Sequence, residues 1–192
     1  MARDQGETIR AFVALDLDAA SVRRIGRLSD RLRMGSGAPS ASWTPVANFH
    51  VTLKFLGDVH TDAAVSLGTV LAPLAAATRA PAPSAVRLDA FPSAQEARVV
   101  VVELLDETKD VANLAAKVEE LASKLDVPKE DRPYRPHVTL AHTKRPYDAR
   151  RWLRPELAEG TEACQTTHLT LYRSRSQAGG TVYVPIARFA LG

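Results

Sequence analysis

The tetrapeptide His-Val-Thr-Leu occurs twice in this chain, at His50–Leu53 and again at His137–Leu140, 87 positions apart in 192 residues. With five histidines in the sequence, a chance second copy falls at roughly the one-per-cent level or below. Each copy follows a proline-bearing stretch (Pro45; Pro133 and Pro136). The pattern apolar–polar–apolar suits a strand, in which residues i and i+2 share a face. His50 and Thr52 therefore point one way and Val51 and Leu53 the other, and the second copy repeats this with His137 and Thr139 against Val138 and Leu140. A chain built this way folds as two similar lobes, each giving one strand to a shared cleft.

The rest of the pattern agrees with a mixed architecture. Residues 9–17 form a short, branched, apolar run that reads as a buried strand, followed by an amphipathic helix over 18–34 with Asp18 as its cap and Val22, Ile25, Leu28 and Leu32 inward. Strands are expected at 49–56, 85–91, 98–105, 137–141, 166–173 and 181–189, with a turn at 177–180. Helices are expected at 61–77, with Val65, Leu67 and Leu71 inward and Pro73 near its end, and at 107–125, with the stripe Val111, Leu114, Val118 and Leu121. Helices and strands alternate without a steady βαβ rhythm. The expected class is α+β: two pseudo-symmetric lobes, each an antiparallel sheet with helices, around a central catalytic groove, in a single bilobal domain over 1–192.

Composition narrows the chemistry. Hydrophobic residues make up 45% and charged residues 24%, as in a folded, water-exposed protein, and no long uncharged apolar run suggests a membrane span. The polar start, without a signal-peptide apolar region, points to the cytoplasm, and a monomer is expected. Cys164 is the sole cysteine, which rules out an internal disulfide and a cysteine zinc cluster. HExxH, Walker-type and dinucleotide fingerprints are absent, as is a nucleophile elbow, so neither a metal nor a cofactor is expected. The formal charge is +3, and Lys129, Arg132, Arg135, Lys144, Arg145, Arg150, Arg151 and Arg154 cluster around the second motif. Such a cluster is compatible with an anionic partner or with a solvated surface.

Two imidazoles facing one cleft suit acid–base chemistry at phosphorus. Near neutral pH one can accept a proton while the other donates one. Opening a 2′,3′-cyclic phosphate needs water deprotonated on one side and the leaving ribose oxygen protonated on the other. The hydroxyls of Thr52 and Thr139 are placed to donate to the non-bridging oxygens. His60 and His168 read as structural or surface residues.

At these residues the chain resembles the 2H phosphoesterase superfamily, in particular the RNA 2′,3′-cyclic phosphodiesterases, historically called 2′-5′ RNA ligases. The resemblance spans nearly the whole chain: Arg10–Leu15 is similar to the family's first strand, Trp43 with Asn48–Gly57 to its first signature, Arg135–Leu140 to its second, and Leu171–Ser174 with Tyr183 and Phe189 to its closing hairpin. It implies metal-independent hydrolysis of RNA 2′,3′-cyclic phosphate ends to 2′-phosphates, with a weak reversible 2′-5′ ligation, and RNA or a related nucleotide as the partner. It further implies His50 as general acid and His137 as general base. Arg10, Phe12, Lys54, His142, Ser174 and Tyr183 are candidate groove-lining residues, with Phe12 available for base stacking. Many relatives carry arginine where this chain has His142. Strand alternation puts His142 on the face opposite His137 unless the strand bulges there, and Lys144 or Arg145 is then a substitute charge.

Two other readings compete. One is a non-catalytic RNA-end or nucleotide-binding module, which binds in a salt-sensitive way without turnover. The other is a 2H enzyme acting on another cyclic nucleotide or on 2′-5′ oligonucleotides.

Overall fold

A computed structural model describes residues 7–35, 40–150, 153, 162–177 and 180–192. The first six residues, Arg151, Arg154, and Ala178 and Gly179 of the expected turn lie outside that set.

The first element, β1 (Thr8–Leu17), is central to everything else. Its odd-numbered side chains Ile9, Ala11, Val13, Leu15 and Leu17 enter the core, leaving Arg10, Phe12 and Asp16 on the other face. Asp18 then starts α1 (Ala19–Met34) by accepting the backbone N–H of Ser21 at 2.8 Å, and Ile25, Leu28 and Leu32 form the buried stripe. A three-residue strand, β2 (Ala41–Trp43), and a single 3-10 turn at Val46–Asn48 lead into β3 (His50–His60). Next comes α2 (Thr61–Ala76), which carries Pro73 and ends three residues beyond it. Its inward stripe is Ala64, Leu67 and Leu71; Val65, expected inward, is exposed.

The second half repeats the scheme with β4 (Ser84–Phe91), β5 (Ala97–Leu105), α3 (Asp110–Ser123) and β6 (His137–Tyr147). The Asp106 carboxylate accepts the N–H groups of Val111 and Ala112 at the start of α3, so the helix begins later than its periodicity alone predicts. The chain closes with β7 (Thr166–Gln177) and β8 (Gly180–Ala190).

The eight strands among the described residues join one curled antiparallel sheet in the order β4-β5-β6-β3-β1-β7-β8, with β2 added alongside β6. The two halves meet where β3 pairs β6, through Val51 opposite Val138. These are equivalent residues of the two repeats, so the pseudo-twofold axis passes between them. Helices cover the face that carries Val13, Leu15, Val51 and Val138, and the core lies between them and the sheet. The opposite face carries the histidines. No helix among the described residues is long and apolar enough to cross a membrane.

Candidate active site

The Val51–Val138 pairing places the two motifs head to tail. Continuing its antiparallel register sets His50 beside Thr139 and Thr52 beside His137. Each imidazole thus has one threonine along its own strand and another across the junction.

Both rings are held the same way. Nδ1 of His50 lies 2.7 Å from the Asn48 carbonyl, and Nδ1 of His137 lies 2.7 Å from the Arg135 carbonyl. A carbonyl can only accept, so each Nδ1–H donates, and in the neutral ring the lone pair is on Nε2. Nε2 of His50 lies 3.0 Å from the Thr52 hydroxyl oxygen. The proton-accepting nitrogen is therefore presented next to the hydroxyl.

Aromatic packing fixes His50 further. Phe12 stacks on it with centroids 4.9 Å apart, Tyr172 stacks on Phe12 at 5.2 Å, and Tyr183 meets both Phe12 and His50 edge-on at 4.9 and 5.3 Å. Phe12 is only 2% exposed, so both its faces are occupied and it supports His50 instead of stacking a base. The exposed aromatic ring of this cluster is Phe55, 6.0 Å from Phe12. On the other side His137 has the edge of Phe91 at 5.0 Å, and the Arg135 guanidinium sits 4.8 Å over that same Phe91 ring.

Burial pushes the His50 imidazole down to about 4, opposed by the Asn48 carbonyl and by the charge of Asp16. His137 is lowered by burial as well, with the Arg135 carbonyl and Glu103 pulling the other way and the Arg135 charge adding to the depression. A histidine that resists protonation when folded makes stability depend on pH. The unfolded chain takes up a proton below about 6.5 that the folded ring refuses until about 4. Stability is thus complete above 6.5 and falls as the pH drops toward 4, by up to roughly 3 kcal/mol for His50. Urea titrations at pH 7 and pH 4 are expected to show a smaller acid loss in His50→Ala than in the parent; an equal loss in both contradicts this.

Two remaining candidates change sides, and one cause explains both. In β3 the register runs Ala14 opposite Thr52, then Val13 opposite Lys54, so Leu53 is an extra, unpaired residue. In β6 the register runs Val101 opposite Thr139, then Val100 opposite Ala141, so Leu140 is the extra residue. Each bulge reverses the alternation that follows it. Lys54, expected in the groove, instead turns into the core face at 3% exposure, where Nζ donates to Glu119 at 2.8 Å and to the Pro128 carbonyl at 2.6 Å. His142, which unbroken alternation puts on the opposite face, comes round to the face of His137, as its counterpart Phe55 does beside His50. Both are exposed.

Arg10 is exposed on the Phe12 face of β1, and Ser174 lies opposite Tyr183 across β7–β8. Arg135 is engaged with Glu103 and Asp89. Among the described residues, no three His, Cys, Asp or Glu side chains gather as a metal site. Sequence reasoning missed Asp16 and Glu103. They lie directly opposite His50 and His137 on the neighbouring strands, and only the strand register reveals them.

The same architecture occurs in known proteins. The chain is 25% identical to an Aquifex aeolicus protein named RNA 2′,3′-cyclic phosphodiesterase, over 97% of this chain and 99% of that one. It is 28% identical to an Escherichia coli protein of the same name, over 96% and 98%. The solved structure of E. coli LigT complexed with 3′-AMP superposes with a TM-score of 0.70 at 24% identity, over 96% of this chain and 99% of LigT. The family described as the 2′-5′ RNA ligase superfamily matches residues 18–178, which include both histidine motifs and most of the sheet. With a match of that extent over the paired motif, this chain belongs to the 2′-5′ RNA ligase superfamily.

Proposed function

We propose that the protein hydrolyses 2′,3′-cyclic phosphate ends of RNA to 2′-phosphates by acid–base catalysis between His50 and His137. The observation that carries this reading is the pairing at Val51–Val138, which sets two imidazole–threonine units about one axis. The relatives' names supply the substrate class.

In the hydrolysis, one imidazole takes a proton from water as its oxygen bonds to phosphorus. The P–O3′ bond breaks, and the other imidazole gives its proton to the departing O3′. Family resemblance assigns the donor role to His50 and the acceptor role to His137. The bound phosphodiester is itself an anion and favours the protonated form of a buried ring such as His50. The hydroxyls of Thr52 and Thr139 donate to the non-bridging oxygens as charge builds there. With the 5′-hydroxyl of a second RNA end in place of water, the same forward steps bond its oxygen to phosphorus, break P–O3′ and leave a 2′-5′ phosphodiester with a 3′-hydroxyl. Run backwards, with the roles exchanged, they cleave that bond, which is the reversible ligation implied by the resemblance.

The test uses an RNA oligonucleotide ending in a 2′,3′-cyclic phosphate, incubated with the protein in EDTA. Multiple turnover to the 2′-phosphate is expected. Salt-sensitive binding without turnover would replace this reading with a non-catalytic RNA-end module, and faster turnover of another cyclic nucleotide would replace the substrate. Thr52→Val and Thr139→Val keep the branched strand side chain and remove one hydroxyl each. Each is expected to lower kcat by roughly 10²-fold, the scale of losing one donor to a developing oxyanion. A kcat within twofold of the parent removes the threonines from the mechanism.

A further inference from the structure

The pseudo-twofold symmetry extends beyond the histidines and threonines. In the β1–β3 ladder Asp16 stands directly opposite His50, and in the β5–β6 ladder Glu103 stands directly opposite His137. Directly opposed residues in an antiparallel pair share a face, with Cβ atoms about 5 Å apart. Each histidine therefore has a carboxylate as its lateral neighbour, on the strand farther from the junction.

Both carboxylates are built in. Asp16 is 8% exposed and accepts the Thr170 hydroxyl at 3.0 Å, the Tyr172 hydroxyl at 2.7 Å and the Arg188 Nε–H at 2.7 Å. Glu103 accepts Nη2–H and Nε–H of Arg135 at 2.7 and 3.2 Å, and Arg87 Nε–H from β4. Burial alone would raise the Glu103 carboxyl, but Arg135 and Arg87 outweigh it and hold it below its ordinary value. In each half an arginine of the outermost strand (Arg188 on β8, Arg87 on β4) reaches inward to that half's carboxylate. Neither carboxylate bonds its histidine, because both Nδ1 atoms are taken by backbone carbonyls.

We propose that Asp16 and Glu103 are a matched pair of positioning residues, each an anionic neighbour that favours the protonated form of the histidine opposite it. They make a buried imidazole able to hold the proton that the reaction moves, without contacting substrate. This rests on the two-histidine reading above and adds the groups that tune it. The other titratable or charged groups facing His50 are Tyr172 from β7, Tyr183 from β8 with Arg10 beside it, Arg188 through Asp16, and His137 across the junction. Those facing His137 are Arg135 on its own approach, Asp89 and Arg87 from β4 through Glu103, and His50.

The experiment is a pH–rate profile on the cyclic-phosphate RNA for Asp16→Asn and Glu103→Gln. Both substitutions keep shape and remove charge. Asp16→Asn is expected to move the limb set by His50 to lower pH by about half a unit to one unit, leaving the other limb in place. Glu103→Gln is expected to move the other limb in the same direction. A purely structural role lowers kcat at every pH and moves neither limb. Imidazole NMR titrations of His50 and His137 in the full-length protein measure the same shifts without turnover, so the inference is tested even if the proposed reaction fails. Should Asp16→Asn not fold, Arg188→Gln at the rim unscreens Asp16 and is expected to move the His50 titration to higher pH. Unmoved His50 and His137 titrations in folded variants overturn the proposal.

Discussion

His50→Ala and His137→Ala are each expected to lower kcat on a cyclic-phosphate RNA by roughly 10²–10⁴-fold, the range for losing a placed acid or base. In the proposed mechanism the two rings form one proton relay, so the double variant is expected to cost little more than either single one. Both side chains are partly buried but lie on the groove face, away from the core cluster. The variants are thus expected to fold, and circular dichroism checks this. Retention of a tenth of the parent rate by either variant removes that histidine from the chemistry. Losses that multiply fully in the double variant indicate two independent contributions.

The second large effect concerns stability. Lys54 and Glu119 form a nearly buried ion pair at 2.8 Å, with the lysine side chain 2% and the glutamate side chain 22% exposed. The same ammonium holds the Pro128 carbonyl, and the same carboxylate accepts the Glu130 N–H at 3.1 Å. Nearby, the Tyr134 hydroxyl donates to the Thr52 carbonyl at 2.8 Å. These contacts tie the approach to His137 onto the strand that carries His50. Lys54→Met strands the carboxylate and frees the carbonyl, at an expected cost of about 3 kcal/mol in urea unfolding. Adding Glu119→Leu is expected to restore most of it, since a well-packed apolar pair often matches a buried ion pair. A loss under about 1 kcal/mol for Lys54→Met would show the pair to be screened like a surface salt bridge.

What could be read from the sequence follows from the range of the interactions involved. His50 with Thr52 and His137 with Thr139 were legible because two-residue alternation is local and appears twice. The helices were legible because their apolar stripes repeat over several turns, although Val65, read as inward on α2, is exposed and Ala64 is buried. The bulges at Leu53 and Leu140 carry no local signal: the extra residue is an ordinary buried leucine. Alternation therefore assigned Lys54 and His142 to the wrong faces. The short β2 was missed because three residues show no period. Asp16 and Glu103 were missed because their relation to the histidines lies in register between strands, 34 residues apart in each case. Phe12 was legible as a residue of the histidine face, but its enclosure by His50, Tyr172 and Tyr183 depends on β3, β7 and β8 together.

The contact of Val51 with Val138 has a consequence for how the two halves can diverge. A residue meeting its own equivalent across an axis is the arrangement of an isologous homodimer interface. In a homodimer, any substitution is imposed on both sides at once. Here the halves share one polypeptide, so each side accepts changes independently. Phe55 faces the groove where the other half has His142, Lys54 anchors a loop where the other half has Ala141, and aspartate stands where the other half has glutamate. Under the proposed mechanism, covalent continuity is what lets two like histidines specialise as donor and acceptor, which a strictly symmetric pair of identical subunits cannot do by sequence change.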